Sequence, residues 1–320
     1  MELNEVRELA LRIKNNISRV IVGKDEIIDL VLASVLCSGH VLLEDVPGVG
    51  KTMLAKTLAR SIDCDFKRIQ FTPDLLPSDL TGINYYNQKL NEFVFRQGPI
   101  FTNIVLADEI NRATPRTQSS LMECMEEEQV TIDGVTTSLE KPFFVIATQN
   151  PIEIQGTFPL PEAQLDRFFM RLRLGYPDRR EGKMILDRFQ KKSPFPEVEA
   201  VATKDEIIAA QEAIPSVSLS DAVKEYIINI VEESRNNDKI ALGISPRGSL
   251  AMMKASQAMA VISGRTYVTP DDVKLIAVPV TAHRIILRGH SISSSTSASE
   301  MVIREILDKV PVPLEDTSLI

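Results

Sequence analysis

Tryptophan is absent from the 320 residues, and aromatic residues make up only 5%. That counts against a surface built on stacking platforms for single-stranded nucleic acid. Cysteine is nearly as scarce. Cys37, Cys64 and Cys124 lie far apart with no C-x-x-C pair. They argue against a disulfide framework and fit a reducing compartment, with three reduced thiols in or near the core as the plain expectation. No apolar run approaches the ~18 residues that a membrane span needs, so no stable membrane insertion is expected. The opening stretch, MELNEVRELALRIKNNI, has early acids and apolar residues at helical spacing (Val6, Leu9, Leu11, Ile13, Ile17) in place of a signal-peptide pattern. A soluble, cytoplasmic protein is expected. An excess of positive charge is also lacking. The formal net charge of -8 disfavours non-specific adhesion to nucleic acid or anionic membranes, so no nucleic-acid partner is expected, although a local basic patch stays open. The three histidines, His40, His283 and His290, stand apart from any ligand cluster, and no protein-held transition metal is expected.

The first half alternates short apolar runs with helical patterns. HVLLED (40–45), FKRIQFT (66–72), NIVLAD (103–108), PFFVIAT (142–148) and FFMRLRLG (168–175) read as strands, several apolar nearly throughout as in a buried parallel sheet. KTMLAKTLARSI, with Met53, Leu54, Leu58 and Ile62 on one face, and PRTQSSLMECMEEE read as intervening helices, giving βαβ units. Asp133-Gly134 between β-branched residues signals a hairpin. From about residue 178 the pattern is helical, with no further strong strand. It includes a helix start at Thr269, with Pro270 in its first turn and acids following. The proline-bearing KSPFPEVEA is the first break in that half. The serine-rich HSISSSTSASE reads as a loop closed by a capping box, Ser297 to Glu300. The expected fold is α/β with a five-stranded parallel sheet between helices over residues 1–177, and an all-helical domain over 178–320.

LLEDVPGVGKT (42–52) nearly spells a phosphate loop, with Asp45 where the first glycine belongs. Gly48 and Gly50 let backbone N–H groups approach phosphates, Lys51 can reach the terminal oxygens, and Thr52 offers a hydroxyl to Mg2+. Asp45 sits at the strand-to-loop corner, remote from the terminal phosphate. If φ is positive there, aspartate tolerates it better than most residues. Asp108 and Glu109 end a buried strand, where open α/β sheets place ligands. Asp108 would order Mg2+ and Glu109 would polarise the attacking water, unless the pair only caps the next helix. Asn150 ends a neighbouring strand and reads as a phosphate or water contact, or as a turn former before Pro151. Arg167 and Arg247 could neutralise charge developing on the γ-phosphate, or be structural or surface arginines; spacing alone does not decide.

Together IVGKDE, LLEDVPGVGKT, GPIFTNIVLADEINRATPRTQSSLMECMEE, VIATQNP, GTFPLPEAQLDRF, GISPRGSL, YVTPDDVK and AHRI resemble the AAA+ ATPases, more narrowly the MoxR family, over about residues 20–313. The resemblance implies an AAA+ P-loop core with a C-terminal helical lid, and ATP and Mg2+ as ligands. It places Pro47, Gly48, Val49, Gly50, Lys51, Thr52 and Met53 on the nucleotide, with Val22 and Gly23 near adenine. Asp108 and Glu109 match the Walker B pair, and Asn150 matches sensor 1. Arg167 matches an arginine finger offered to a neighbouring subunit, and Arg247 matches sensor 2 on the lid. Segments 73–98 and 126–140 match loops that line a ring's central face, candidates for client contact. A homo-oligomeric ring, most often a hexamer, is implied, with a von Willebrand factor A-type, metal-adhesion-site protein as partner. The implied function is chaperone-like remodelling or maturation of protein clients. The competing readings are a magnesium-chelatase-like subunit, a DNA-dependent motor and a nucleotide-gated switch; the water-activating Glu109 counts against the last.

Overall fold

The computed structural model describes residues 1–151, 156–190, 192–289 and 296–313. Helices α1 (Leu3–Ser18) and α2 (Asp25–Leu36) precede β1 (Val41–Glu44), α3 (Lys51–Ser61) and β2 (Phe66–Gln70). A short α4 (Pro77–Thr81) leads into a hairpin, β3 (Gly82–Asn87) and β4 (Glu92–Gln97). Then come β5 (Ile104–Asp108), α5 (Pro115–Glu127), a second hairpin of β6 (Gln129–Ile132) and β7 (Val135–Ser138), and β8 (Phe144–Gln149). The short α6 (Glu162–Leu165) and β9 (Met170–Leu172) complete this half. The rest is α7 (Arg179–Phe189), α8 (Lys204–Ala213), α9 (Asp221–Asn236), β10 (Ile240–Leu242), α10 (Pro246–Ile262), α11 (Pro270–Thr281), β11 (Ile286–Leu287) and α12 (Thr296–Lys309).

The five expected strands form one parallel sheet in the order β2-β5-β8-β1-β9. Successive residues of a strand point to opposite faces, and the cores divide accordingly. Val41, Leu43, Ile104, Leu106, Phe144 and Ile146 enter one apolar cluster. Leu42, Val105, Ala107, Val145 and Ala147 enter the other, with Leu121 and Met122 of α5. The first cluster continues through Val6, Leu9, Ile13 and Ile17 of α1 into Met252 and Ala255 of α10, so the opening helices join the sheet to the helical half. Leu11 departs from the expected α1 face: it is exposed, two residues along from Leu9 and therefore well around the helix.

Among the described residues the helical half also carries a short antiparallel ribbon, β10 with β11, which the expected all-helical domain did not include. Strands of three and two residues are too short for alternation to register in a sequence. The β3–β4 hairpin, also unforeseen, stands out with Ile83, Leu90 and Phe93 exposed. The second hairpin turns at Asp133 (φ 49°) and Gly134 (φ 82°), as the Asp-Gly pair predicts. The Asn84 amide donates to the Asp133 carboxylate at 2.7 Å, tying the two hairpins together. Thr269 and Asp272 close a capping box at the start of α11 with Pro270 in its first turn. Ser297, expected to cap a helix, lies within α12 instead, because that helix already includes Thr296. His290 and the serines that follow it, up to residue 295, lie outside the described residues. Among the described residues no helix is long and apolar enough to cross a membrane.

Candidate functional site at the strand ends

The carboxyl ends of β1, β5 and β8 meet at one edge of the sheet, and the site is built there. The loop after β1 turns through Gly48 (φ 87°) and Gly50 (φ 105°), conformations that favour glycine, and Gly50 caps α3. A Cβ built on either glycine would meet nothing within 4 Å. The loop therefore encloses open space lined by backbone at a helix N-terminus, the form of an anion cradle. Lys51 begins α3 and folds back, donating to the Asp45 carbonyl at 2.7 Å and the Val46 carbonyl at 3.3 Å. Partial burial lowers the Lys51 pKa, opposed by the nearby charges of Asp45, Asp108 and Glu109. Thr52 follows in the first turn, Met53 packs against the larger core, and Pro47 and Val49 complete the loop.

Asp45 is not in the left-handed region. Its carboxylate, 7% exposed, accepts the Leu174 N–H at 2.5 Å and the Gly175 N–H at 3.1 Å. The acid thus ties the loop entrance to the chain leaving β9. It answers a structural need at the loop entrance. Beside it, buried Glu44 pairs with Arg173 at 3.1 Å. Val22 is buried and Gly23 is approached closely by the Glu181 side chain of α7; Lys24 bonds both Glu181 and the Tyr176 carbonyl. The segment expected near adenine therefore sits against the passage into the helical half.

Asp108 and Glu109 end β5 beside this loop. One Asp108 oxygen accepts the Thr148 hydroxyl at 2.6 Å, and the other accepts Arg68 from β2 through Nε at 3.0 Å and Nη2 at 2.6 Å. Thr148 also accepts the Glu109 N–H at 2.8 Å, holding Glu109 at a φ of 58°, uncommon for a non-glycine residue. The Glu109 carboxylate takes Gln70 at 3.0 Å and Arg112 at 3.0 Å. Asn150 is buried one residue beyond β8, where the Asp45 N–H donates to the Gln149 carbonyl at 3.3 Å. Arg68, Gln70, Arg112 and Thr148 received no role from the sequence. A period-2 reading of β2 puts Arg68 and Gln70 on one face and hints at them. The donor set suits Mg2+: Thr52 and Asp108 supply hard oxygens, and the space over Gly48 and Gly50 is open. Among the described residues no His/Cys/Asp/Glu cluster of three could hold another metal.

Arg167 and Arg247 are not part of this constellation. Arg167 precedes β9 at the opposite edge of the sheet, donating to the Met122 carbonyl at 3.0 Å and pairing with Glu126 at 2.6 Å. Arg247, at the start of α10, pairs with the same Glu126. Both line an open cavity of about 330 Å³ with Gly39 and His40, the residues entering β1. His40 and Asp45 stand at opposite ends of that strand, ~16 Å apart at about 3.3 Å per residue. The two arginines thus line the end of β1 opposite the chain's own glycine loop.

Residues 40–170 match the ATPase family associated with various cellular activities (AAA), and residues 232–306 match the AAA lid domain. The chain is 52% identical to the Bacillus subtilis protein YeaC, over 95% of each. It is 39% identical to Chaperone MoxR1 of Mycobacterium tuberculosis, over 93% of this chain and 80% of that one. A crystal structure of a Cytophaga hutchinsonii protein, 38% identical, superimposes with a TM-score of 0.87 over 97% of this chain and 96% of that chain.

Proposed function

The chain belongs to the MoxR family of AAA+ ATPases, and from that premise we propose that it hydrolyses Mg2+–ATP to remodel or mature protein clients. The observation that carries this reading is the meeting of the glycine cradle, Lys51, Asp108, Glu109 and Asn150 at one sheet edge. In this reading ATP phosphates enter the cradle and Lys51 exchanges its two loop carbonyls for phosphate oxygens. Val22 and Gly23 flank adenine. Thr52 and Asp108 would hold Mg2+, which would supply positive charge to offset that of the phosphates. Glu109, freed from Gln70 and Arg112, orients and polarises the attacking water, and Asn150 bonds that water or the γ-phosphate.

Arg167 and Arg247 complete the site from a neighbouring subunit, because their own loop lies a strand's length away. Active sites then form between subunits of a ring, for which we propose six copies. We divide the chain at 177/178, where the exposed Tyr176 and Pro177 lead into α7. The family favours a cytoplasmic chaperone acting on a von Willebrand factor A-type partner. The relatives matched over their length support this more than a magnesium-chelatase-like subunit or a DNA-dependent motor.

The test mixes two variants. Glu109→Gln and Arg167→Ala should each be nearly inactive alone, with hydrolysis in the parent abolished by chelating Mg2+. Mixed rings place some intact Glu109 opposite intact Arg167 and should regain ATPase. If rings with demonstrated subunit exchange regain nothing, the site is not shared. For the client, Glu109→Gln with ATP should retain a metal-adhesion-site protein that ADP releases. Retention that ignores the nucleotide counts against remodelling.

A further inference from the structure

The cavity that holds the two arginines is strongly basic. Arg167, Arg247, Lys254 and Arg284 line it, and among the described residues Glu126 is the one carboxylate in its lining. Arg284 is already committed. It donates to the carbonyls of Val280 at 2.7 Å, Asp166 at 2.8 Å and Phe168 at 2.7 Å, and pairs with the Asp166 carboxylate at 2.6 Å. Asp166 also accepts the hydroxyl of Ser245, the cap of α10, at 3.2 Å. The residue before Arg167 and the residue two before Arg247 are therefore fastened to each other, fixing the two backbones. Among the described residues, the Arg247 guanidinium is held by Glu126, and the Arg167 guanidinium by Glu126 together with the Met122 carbonyl.

Glu126 is not placed there for the sake of its own helix. It lies in the last turn of α5, among Glu127 and Glu128, where a carboxylate opposes the helix dipole. Nor does it use up the arginines. It takes Nη1 of Arg167 and Nη2 of Arg247, and each guanidinium has five N–H donors. Both residues line a cavity of about 330 Å³, open enough for a phosphate group.

We infer that Glu126 is the positioning residue of the arginine face: it holds Arg167 and Arg247 at the separation needed to receive the neighbouring subunit's γ-phosphate. This rests on the reading above, in which both arginines act in trans. Without the carboxylate two like charges repel, and Arg247 loses the partner that orients it. Misplacing such groups by about 1 Å is enough to cost ~100-fold in rate.

The experiment is side-specific complementation with Glu126→Gln, a nearly isosteric change that turns an acceptor of both guanidiniums into an amide with its own N–H groups. Alone, the variant should lose tenfold or more in kcat. Its affinity for a fluorescent ATP analogue should match the parent, because its own cradle lies at the other end of β1. Mixed with Glu109→Gln it should regain ATPase. Mixed with Arg167→Ala it should not, because both variants are defective on the same face. Glu126→Asp, which keeps the charge, should recover part of kcat. An activity within twofold of the parent overturns the inference, as does recovery with Arg167→Ala. If Glu109→Gln and Arg167→Ala complement each other while Glu109→Gln and Glu126→Gln do not, Glu126 is a general structural residue and only this inference fails. If Glu109→Gln and Arg167→Ala fail to complement, the trans reading fails first.

Discussion

Replacing Asp45 by glycine would restore the general phosphate-loop pattern, so a motif-based view expects gain or neutrality. The structure expects loss. The Asp45 carboxylate is 7% exposed and accepts the N–H groups of Leu174 and Gly175 at 2.5 and 3.1 Å. A hydrogen bond to a charged group contributes about 1.5–3 kcal/mol, so two bonds set an upper range of roughly 3–6 kcal/mol. Relief from burying a carboxylate, and water entering the space vacated, offset part of that, while glycine's extra freedom in the unfolded chain adds about 0.5–1 kcal/mol. A net loss of about 3 kcal/mol results. At roughly 2–4 °C per kcal/mol for a unit of 150–250 residues, Tm falls by about 6–12 °C. Asp45→Asn should fare little better, because its amide presents N–H groups to one of the two backbone donors. The assay is thermal unfolding followed by near-UV signal, without nucleotide and with saturating ATP. Nucleotide should narrow the gap only by what its binding adds to the loop. A Tm for Asp45→Gly within about 2 °C of the parent, without nucleotide, would refute the reasoning.

Two further perturbations follow from the same accounting. Thr148→Val removes the hydroxyl that donates to Asp108 and accepts from Glu109, leaving the N–H of a residue at φ 58° unpaired. It should cost about 1–3 kcal/mol in urea unfolding and tenfold or more in kcat, with Thr148→Ser close to the parent; equal activity in the valine variant would show that the bridge is dispensable. Burial lowers the pKa of His40 and His283 from 6.5. His40 already donates to the Met125 carbonyl at 2.9 Å and accepts the Val145 N–H at 3.1 Å, so a second ring proton has no acceptor. Below 6.5 the unfolded chain binds protons that the folded chain refuses, so stability falls as pH falls, by up to about 1.4 kcal/mol per pH unit for each histidine. His40→Gln should flatten the stability curve between pH 6.5 and 5.5 by about one proton, and an unchanged slope would show that His40 titrates normally.

The central strands were legible because a buried parallel strand writes itself as a short unbroken apolar run, as in VLL of β1 and IVLA of β5. The cradle was legible because only glycine suits φ values of 87° and 105°. The partners of the acids were not. Arg68, Gln70 and Arg112 reach Asp108 and Glu109 through the pairing of β2 with β5 and the turn after β5, and no spacing rule connects residue 68 to residue 108. The β3–β4 hairpin escaped for another reason. It buries little on either face, so its sequence carries no alternation. Asp45 was read as a tolerated exception because a motif scores the loop, whereas its reason lies 129 residues away at Leu174.

The position of Glu126 joins these points. One end of β1 carries Asp45, bonded to the chain leaving β9, and then the phosphate cradle. The other end carries His40, bonded to the carbonyl of Met125, the residue before Glu126. A four-residue strand, buried throughout and paired on both sides, is a poor spring. If the cradle holds the chain's own nucleotide and the arginines serve the neighbour's, β1 is the shortest rigid path between two successive sites of a ring. A shift of the cradle on losing phosphate would then be felt at His40 and the end of α5, and through Glu126 at both guanidiniums. The lid enters the same circuit from the side, because Ser245 and Arg284 grip Asp166. Motion of α10 relative to the sheet would pull on the residue before Arg167 through the Ser245–Asp166 bond. Coupling between neighbouring sites would therefore need no long pathway through loosely packed residues. It would follow from one strand with Asp45 at one end and His40, bonded beside Glu126, at the other.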